Sequence, residues 1–143
     1  MFDLIGMTLT YNRASVLANT QRLGTTVDCS MHSEAVGANK CSNVIITGRD
    51  VLTALGVPPN GPTFLGYDNK AGMLVANNAG SSTRSRHFLC MYTILQQRGK
   101  REQIAIRHVS NVENAADFLT KWVDKSRFKR SSIYLTNERN APG

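Results

Sequence analysis

The sequence predicts an α/β fold of the α+β kind, a mixed sheet of about four strands with helices packed on it. Short runs of apolar and β-branched residues bounded by turn formers are typical of strands. Apolar residues spaced three and four apart predict helices between them. The predicted strands cover 2–11, 14–18, 62–67 and 103–109, with a weaker alternation at 25–31, and the predicted helices cover 30–55, 70–76, 88–95 and 115–123.

Turn-forming residues predict where several elements begin and end. Asn12 separates two strand-like runs, so we expect a hairpin there. Ser30 suits the start of the first helix, and Gly56 suits its C-terminal cap. Gly37 and the β-branched residues within 44–47 predict an interruption inside that helix.

Length and composition fit one core. The chain has 143 residues, 41% of them hydrophobic, which suits one domain over 1–123 followed by a basic C-terminal tail over 124–143. It has neither the pattern of a signal peptide nor the run of about eighteen apolar residues that predicts a membrane span. Three cysteines without metal-ligand spacing are typical of reduced thiols. We therefore expect an intracellular protein, cytoplasmic or nuclear, with no membrane partner.

The charge predicts a polyanionic partner. Seventeen Lys and Arg residues against ten Asp and Glu residues give a formal net charge of +7 and a pI near 9.7. A small basic domain attracts nucleic acid or a ribonucleoprotein. The alternatives are a basic surface that serves solubility and a binding surface for another acidic partner.

Asp68 follows the predicted strand at 62–67, where a helix is about to begin. A carboxylate at the end of a buried strand is held rigidly and opens to a cleft, which suits catalysis. The alternative is an ordinary helix N-cap, in which the carboxylate accepts from N–H groups of the first helical turn.

Two further acids occupy related positions. Glu34 lies near the start of the first predicted helix, and Asp117 lies in the helix predicted after the last strand. Acids that converge at one edge of a sheet repel each other unless a divalent cation lies between them, and such a cation suits two-metal cleavage of phosphodiesters. The alternative is that Glu34 and Asp117 interact with helix dipoles while Asp68 is a cap.

Four blocks occur in an order and at distances that carry a family resemblance. They are Ser33-Glu34-Ala35, Tyr67-Asp68-Asn69-Lys70-Ala71, Thr83-Arg84-Ser85-Arg86-His87-Phe88 and Ala116-Asp117-Phe118-Leu119-Thr120-Lys121. Over residues 2–123 the chain resembles the ribonuclease H domain at the C-terminus of Ty1/copia retrotransposon polyproteins. Four ordered blocks are a stronger signal than any one motif alone.

The resemblance implies a ribonuclease H-like fold and hydrolysis of the RNA strand of RNA–DNA hybrids with Mg²⁺ or Mn²⁺. Glu34, Asp68 and Asp117 match three of the family's metal-binding catalytic carboxylates. The resemblance also implies RNA–DNA hybrid or RNA as a partner, together with the rest of a retroelement polyprotein or a ribonucleoprotein.

Four residues are expected to contact nucleic acid. The segment 83–87 is basic and rich in hydroxyl groups, which suits phosphate contacts; the alternative is a solvated loop that caps the next helix. The expected nucleic-acid-binding residues are Lys70, Arg84, Arg86 and His87. By contrast, Phe118 and Trp122 are expected to anchor the last helix in the core.

The chain departs from the family at its first strand. Residues 2–11 and 14–18 resemble the second and third strands of the family, so the first strand, with its catalytic aspartate, is expected to be missing; Asp3 lies too close to Glu34 to replace it. Two hypotheses follow. The chain is either an active ribonuclease H-type endonuclease or a catalytically inactive module that binds nucleic acid or forms a structural part of a ribonucleoprotein.

Overall fold

The computed structural model describes residues 4–12, 14–23, 30–68, 89–110 and 113–136. Within these ranges the fold is mixed α/β, with two two-stranded sheets and three α-helices. The chain divides into two compact units. Unit 1 comprises Met1–Thr26 and Ser110–Gly143, and unit 2 comprises Val27–Val109.

Unit 1 contains the predicted hairpin. Strand β1 (Leu4–Tyr11) pairs antiparallel with β2 (Ala14–Arg22), and the pairing shifts register between Leu9 and Thr10. Asn12 has φ 47°, a left-handed conformation that an asparagine adopts more readily than most residues. The prediction of a hairpin is confirmed. The second strand runs past residue 18, since Leu4 pairs with Arg22 and this pairing extends the ladder through polar residues.

A short 3-10 turn packs on the hairpin of unit 1. The turn, η1, covers Asp117–Leu119. Ile5 and Met7 are buried on either side of Gly6. A Cβ atom at Gly6 would lie 2.8 Å from the carbonyl oxygen of Ala116, so only glycine allows this close approach of the two backbones.

The prediction of a helix at 115–123 is wrong over most of its length. Only residues 117–119 are helical, and they form a 3-10 turn. The cause lies downstream. Asp124 accepts a hydrogen bond from the amide N–H of Arg127 at 2.8 Å and from the hydroxyl of Ser126 at 2.6 Å. An N-cap residue has a non-helical backbone, so a new helix that begins after Asp124 interrupts the earlier one.

That new helix, described here as α3, covers Lys125–Thr136 and packs on β2 and η1 within unit 1. The rings of Phe118 and Phe128 meet edge to face, with their centroids 5.5 Å apart. The segment expected to be a basic tail therefore contains a packed helix. The division into a domain at 1–123 and a tail at 124–143 stays a prediction.

The first helix of unit 2 is continuous. Helix α1 covers Ser30–Ala54, without the interruption predicted at Gly37 and 44–47. Its buried residues lie three and four positions apart, and this packed stripe outweighs the weak local propensity. They are Ala35, Ala38, Ser42 and Ile45. The residues 30–31, predicted as the end of a weak strand, belong to this helix.

The end of α1 confirms the predicted cap at Gly56. Gly56 has φ 78°, its amide N–H donates to the carbonyl of Thr53 at 3.0 Å, and that of Val57 donates to the carbonyl of Leu52 at 2.9 Å. These two hydrogen bonds and the left-handed glycine define a Schellman motif.

A parallel strand pair completes unit 2. Strand β3 (Thr63–Tyr67) pairs with β4 (Ile104–His108), and helix α2 (Leu89–Lys100) lies between them in sequence. One face of the pair packs on α1 and α2, and Phe64 on the other face is 56% exposed with the guanidinium of Arg107 3.6 Å from its ring centroid. The strands predicted at 62–67 and 103–109 and the helix predicted from residue 88 are confirmed within the described range.

The helix predicted at 70–76 lies outside the described residues, as does most of the strand predicted at 25–31. Every helix that the structure describes is too short or too polar to cross a membrane.

Candidate functional site

Glu34 and Asp68 both influence one buried phenol in unit 2. Tyr67 is the last residue of β3, and Asp68 follows it directly. Burial raises the pKa of Tyr67 far above its ordinary value, the hydroxyl of Tyr92 raises it further, and the carboxylates of Glu34 and Asp68 act in the same direction. Two of the three predicted acids therefore act electrostatically on the same phenol.

A second buried tyrosine, Tyr92, acts on Tyr67. Tyr92, on α2, is 1% exposed, and its hydroxyl interacts with that of Tyr67. Leu65 and Leu95 are buried beside them in the core of unit 2. A carboxylate at the end of β3 is therefore held on a packed strand, as the sequence predicts.

Asp117 lies in a different environment, in unit 1. Its side chain is 6% exposed, with Nζ of Lys121 2.8 Å from Oδ1 and Nη2 of Arg127 2.5 Å from Oδ2. Burial alone acts to raise the pKa of Asp117, but hydrogen bonds from Lys121 and Arg127 outweigh it and hold the pKa below its ordinary value. Both oxygens of an ionised carboxylate are thus engaged by cations.

The three predicted ligands of Mg²⁺ or Mn²⁺ are not equally suited to bind a metal ion. Both ions prefer oxygen ligands, which Glu34 and Asp68 supply in unit 2. Each oxygen of Asp117 instead accepts from a cationic side chain, which competes with a metal for the same lone pairs. Among the described residues, no three His, Cys, Asp or Glu side chains are grouped so as to hold a metal ion. Asp117 is therefore the least suited of the three acids to bind a metal, and the catalytic role of the three acids stays a prediction.

The four residues expected to contact nucleic acid lie outside the described ranges. They are Lys70, Arg84, Arg86 and His87. Their role stays a prediction.

Sequence reasoning missed the partners of Asp117 and the exposure of Trp122. Lys121 lies four residues after Asp117, a spacing at which side chains of one helical turn meet, so the first partner was open to prediction. Arg127 lies beyond the cap of α3, and nothing local indicates it. The expected burial of Trp122 is wrong: its side chain is 104% exposed, whereas Phe118 is partly buried and contacts Phe128 as expected of a packed residue.

Comparison with known proteins gives no match: no family model fits the chain, and neither the curated proteins nor the solved structures contain a similar one.

Proposed function

We propose that the chain is a catalytically inactive ribonuclease H-like module of retroelement origin that binds nucleic acid. The observation that carries this proposal is the environment of Asp117. In the block that resembles the family's last acidic motif, both carboxylate oxygens face cations, Lys121 at 2.8 Å and Arg127 at 2.5 Å. Catalysis would require a free carboxylate at this position, whereas that of Asp117 is paired with two cations.

The charge of the surrounding segment supports the same proposal. Residues 121–130 contain five cationic side chains and one acid, Asp124. The chain as a whole carries a formal charge of +7. Cationic side chains that meet phosphates release condensed counterions, which gives salt-dependent affinity whatever the sequence.

The direct test is binding of a labelled RNA–DNA hybrid measured by fluorescence anisotropy at several salt concentrations. The proposal predicts that affinity falls by about tenfold or more between about 50 and 200 mM salt, since each neutralised phosphate adds close to one unit of slope. The absence of binding at low salt would overturn the proposal.

A second candidate function is hydrolysis of the RNA strand of hybrids with Mg²⁺ or Mn²⁺. The observation that favours it is that Glu34 and Asp68, two acids that the resemblance assigns to catalysis, both act electrostatically on the phenol of Tyr67 in unit 2. Metal-dependent cleavage that Asp68→Asn abolishes while hybrid binding persists would establish this function. Cleavage that survives the substitution would point to a contaminating nuclease.

The proposal extends to a protein partner, the rest of a retroelement polyprotein or a ribonucleoprotein. Within the described residues, β3 pairs only with β4, and parallel strands are usually covered on both faces. An added strand or a covering surface at β3 would bury Phe64. Protection of the β3 amides from hydrogen exchange on mixing with the partner is the expected result, and unchanged exchange would exclude this face.

A further inference from the structure

Trp122 is the most unusual residue on the described surface. It is the single tryptophan of the chain, and its side chain is fully exposed. Tryptophan offers the largest apolar area of any side chain and is normally buried to a large extent. A fully solvated indole is therefore a candidate contact for a ligand with a flat apolar face.

Side-chain and cap contacts lie on both sides of Trp122 in the sequence. Lys121 on one side and Arg127 on the other both bind the buried carboxylate of Asp117. Asp124 then caps α3, accepting from the amide N–H of Arg127. Trp122 therefore lies in a short segment with an ion-paired residue before it and a helix cap after it.

Cationic residues flank Trp122 along the chain. Lys121 precedes it, and three further cations follow along α3 with exposed side chains. These are Lys125, Lys129 and Arg130. The two ion pairs described in this segment, those of Lys121 and Arg127, both involve Asp117 and none of these three cations. Phe128, 51% exposed, adds a second aromatic surface on the same helix.

An exposed aromatic ring among cations fits a single-stranded nucleic acid. Its unpaired bases stack on aromatic rings while its phosphates meet the cations, and stacking contributes about 1–3 kcal/mol per base. In a duplex the bases are stacked on each other and offer no free face. A membrane surface is less suitable, because Ile133 and Leu135, the aliphatic residues of α3, are partly buried where the helix packs in unit 1.

We propose that Trp122, with Lys125, Lys129 and Arg130, forms a stacking site for single-stranded RNA or DNA. The inference deepens the proposed function and rests on it, since it names the form of nucleic acid that one surface of unit 1 binds. Trp122 stacks on a base, and the α3 cations bind the flanking phosphates.

The single tryptophan makes the test direct, because all indole fluorescence comes from Trp122. Titration with an oligothymidylate of about ten nucleotides, within the span that such sites cover, is expected to quench this fluorescence. In anisotropy with a labelled oligonucleotide, Trp122→Ala is expected to weaken binding about tenfold, equivalent to loss of one stacked base. Tyr11→Ala removes another exposed aromatic of unit 1 and is expected to leave binding unchanged.

Charge reversal tests the cationic half of the site. Lys129→Glu is expected to weaken oligonucleotide binding and reduce its salt dependence, whereas Lys100→Glu, on α2 of unit 2, is the matched control with little effect. Both positions are exposed, so both variants are expected to fold, as circular dichroism will verify.

The outcomes separate this inference from the proposed function. Equal binding by Trp122→Ala, or equal affinity for single strands and a duplex of the same sequence, would overturn the stacking site and leave nucleic-acid binding in place. Binding of phosphatidylserine vesicles with a blue shift of indole emission, without oligonucleotide binding, would overturn the site in favour of a membrane surface. The absence of binding to any nucleic acid would overturn both proposals.

Discussion

The acids of the two units take part in different electrostatic interactions. In unit 2, Glu34 and Asp68 add negative charge around a buried phenol, Tyr67. In unit 1, Asp117 is buried between Lys121 and Arg127, whose charges its own carboxylate offsets. In unit 2, carboxylates raise the pKa of a neighbouring phenol. In unit 1, neighbouring cations lower the pKa of the carboxylate itself.

This difference shows that the role of a carboxylate depends on its neighbours in the fold as well as on the motif that contains it. Asp117 acts as a structural acceptor that joins η1 to α3, because it lies in η1 and its Oδ2 accepts a hydrogen bond from Arg127 of α3. Glu34 and Asp68, in unit 2, instead raise the pKa of a neighbouring phenol, Tyr67. Substitutions that remove a charge should therefore have different consequences in the two units.

The largest effect is expected from removal of the acceptor in unit 1. Asp117→Ala leaves Lys121 and Arg127 without their shared partner, which is expected to lower the free energy of unfolding by about 2–3 kcal/mol. Asp68→Ala, at a partly exposed position in unit 2, is the comparison variant with a smaller loss. Urea denaturation followed by circular dichroism measures both, and equal losses would contradict the comparison.

Gly6 gives the next largest effect and tests the packing of the hairpin on η1. A Cβ atom at Gly6 would lie 2.8 Å from a backbone oxygen of Ala116 and 3.0 Å from Leu119 Cβ, so Gly6→Ala is expected to cost about 1–3 kcal/mol through overpacking. Gly99→Ala is the matched control in unit 2. It meets no atom within 4 Å, and in a helix alanine is expected to stabilise by about 0.5–1 kcal/mol. A neutral Gly6→Ala would show that η1 does not pack on the hairpin as described.

The pH dependence of stability should have opposite signs for Asp117 in unit 1 and Tyr67 in unit 2. The folded pKa of Asp117 is lowered, so its contribution is present above the unfolded value of about 3.9 and is lost as the pH falls through the folded pKa. The folded pKa of Tyr67 is raised, so its contribution is present below about pH 10 and is lost as the pH rises above that value. Thermal melts across both ranges are the measurement, with Asp117→Asn expected to flatten the acid limb and Tyr67→Phe the alkaline limb. A variant that leaves its own limb unchanged would contradict the assignment.

Thiol reactivity gives the smallest expected effect, a difference in rate within unit 2. Burial raises the pKa of Cys41 on α1 to about 11, and the thiolate is the reactive form. Cys90 on α2 is exposed. Alkylation at pH 8, followed by peptide mass mapping, is expected to modify Cys90 first and Cys41 only slowly. Faster modification of Cys41 would show that α1 opens readily.

Local chemistry predicted the elements with strong signals at their ends. Asn12 and Gly56 adopt the left-handed conformations that their positions require, and the hairpin and the end of α1 follow from them. The interruption predicted in α1 was wrong because burial of Ala35, Ala38 and Ile45 along one stripe depends on packing, which local propensity does not contain.

The region after residue 113 was harder to predict for a related reason. Asp124 reads equally well as a polar residue in a tail or as an N-cap, and only the helix that follows decides between them. Once α3 forms, Trp122 lies in a short connection and is exposed, whereas a single helix through 123 would have placed it in a core. The elements that carry Glu34 and Asp68 were predicted from the sequence, but the turn that carries Asp117 was not, and the cation from Arg127 reaches Asp117 through tertiary packing alone.

The most direct test of the central claim is incubation of a labelled RNA–DNA hybrid with the chain and with Asp68→Asn, in Mg²⁺ and separately in Mn²⁺, with bound and cleaved hybrid measured in the same samples. Binding that weakens with salt, without cleavage above the level of the variant, is the result that an inactive nucleic-acid-binding module predicts. Cleavage by the chain that disappears in Asp68→Asn would contradict it.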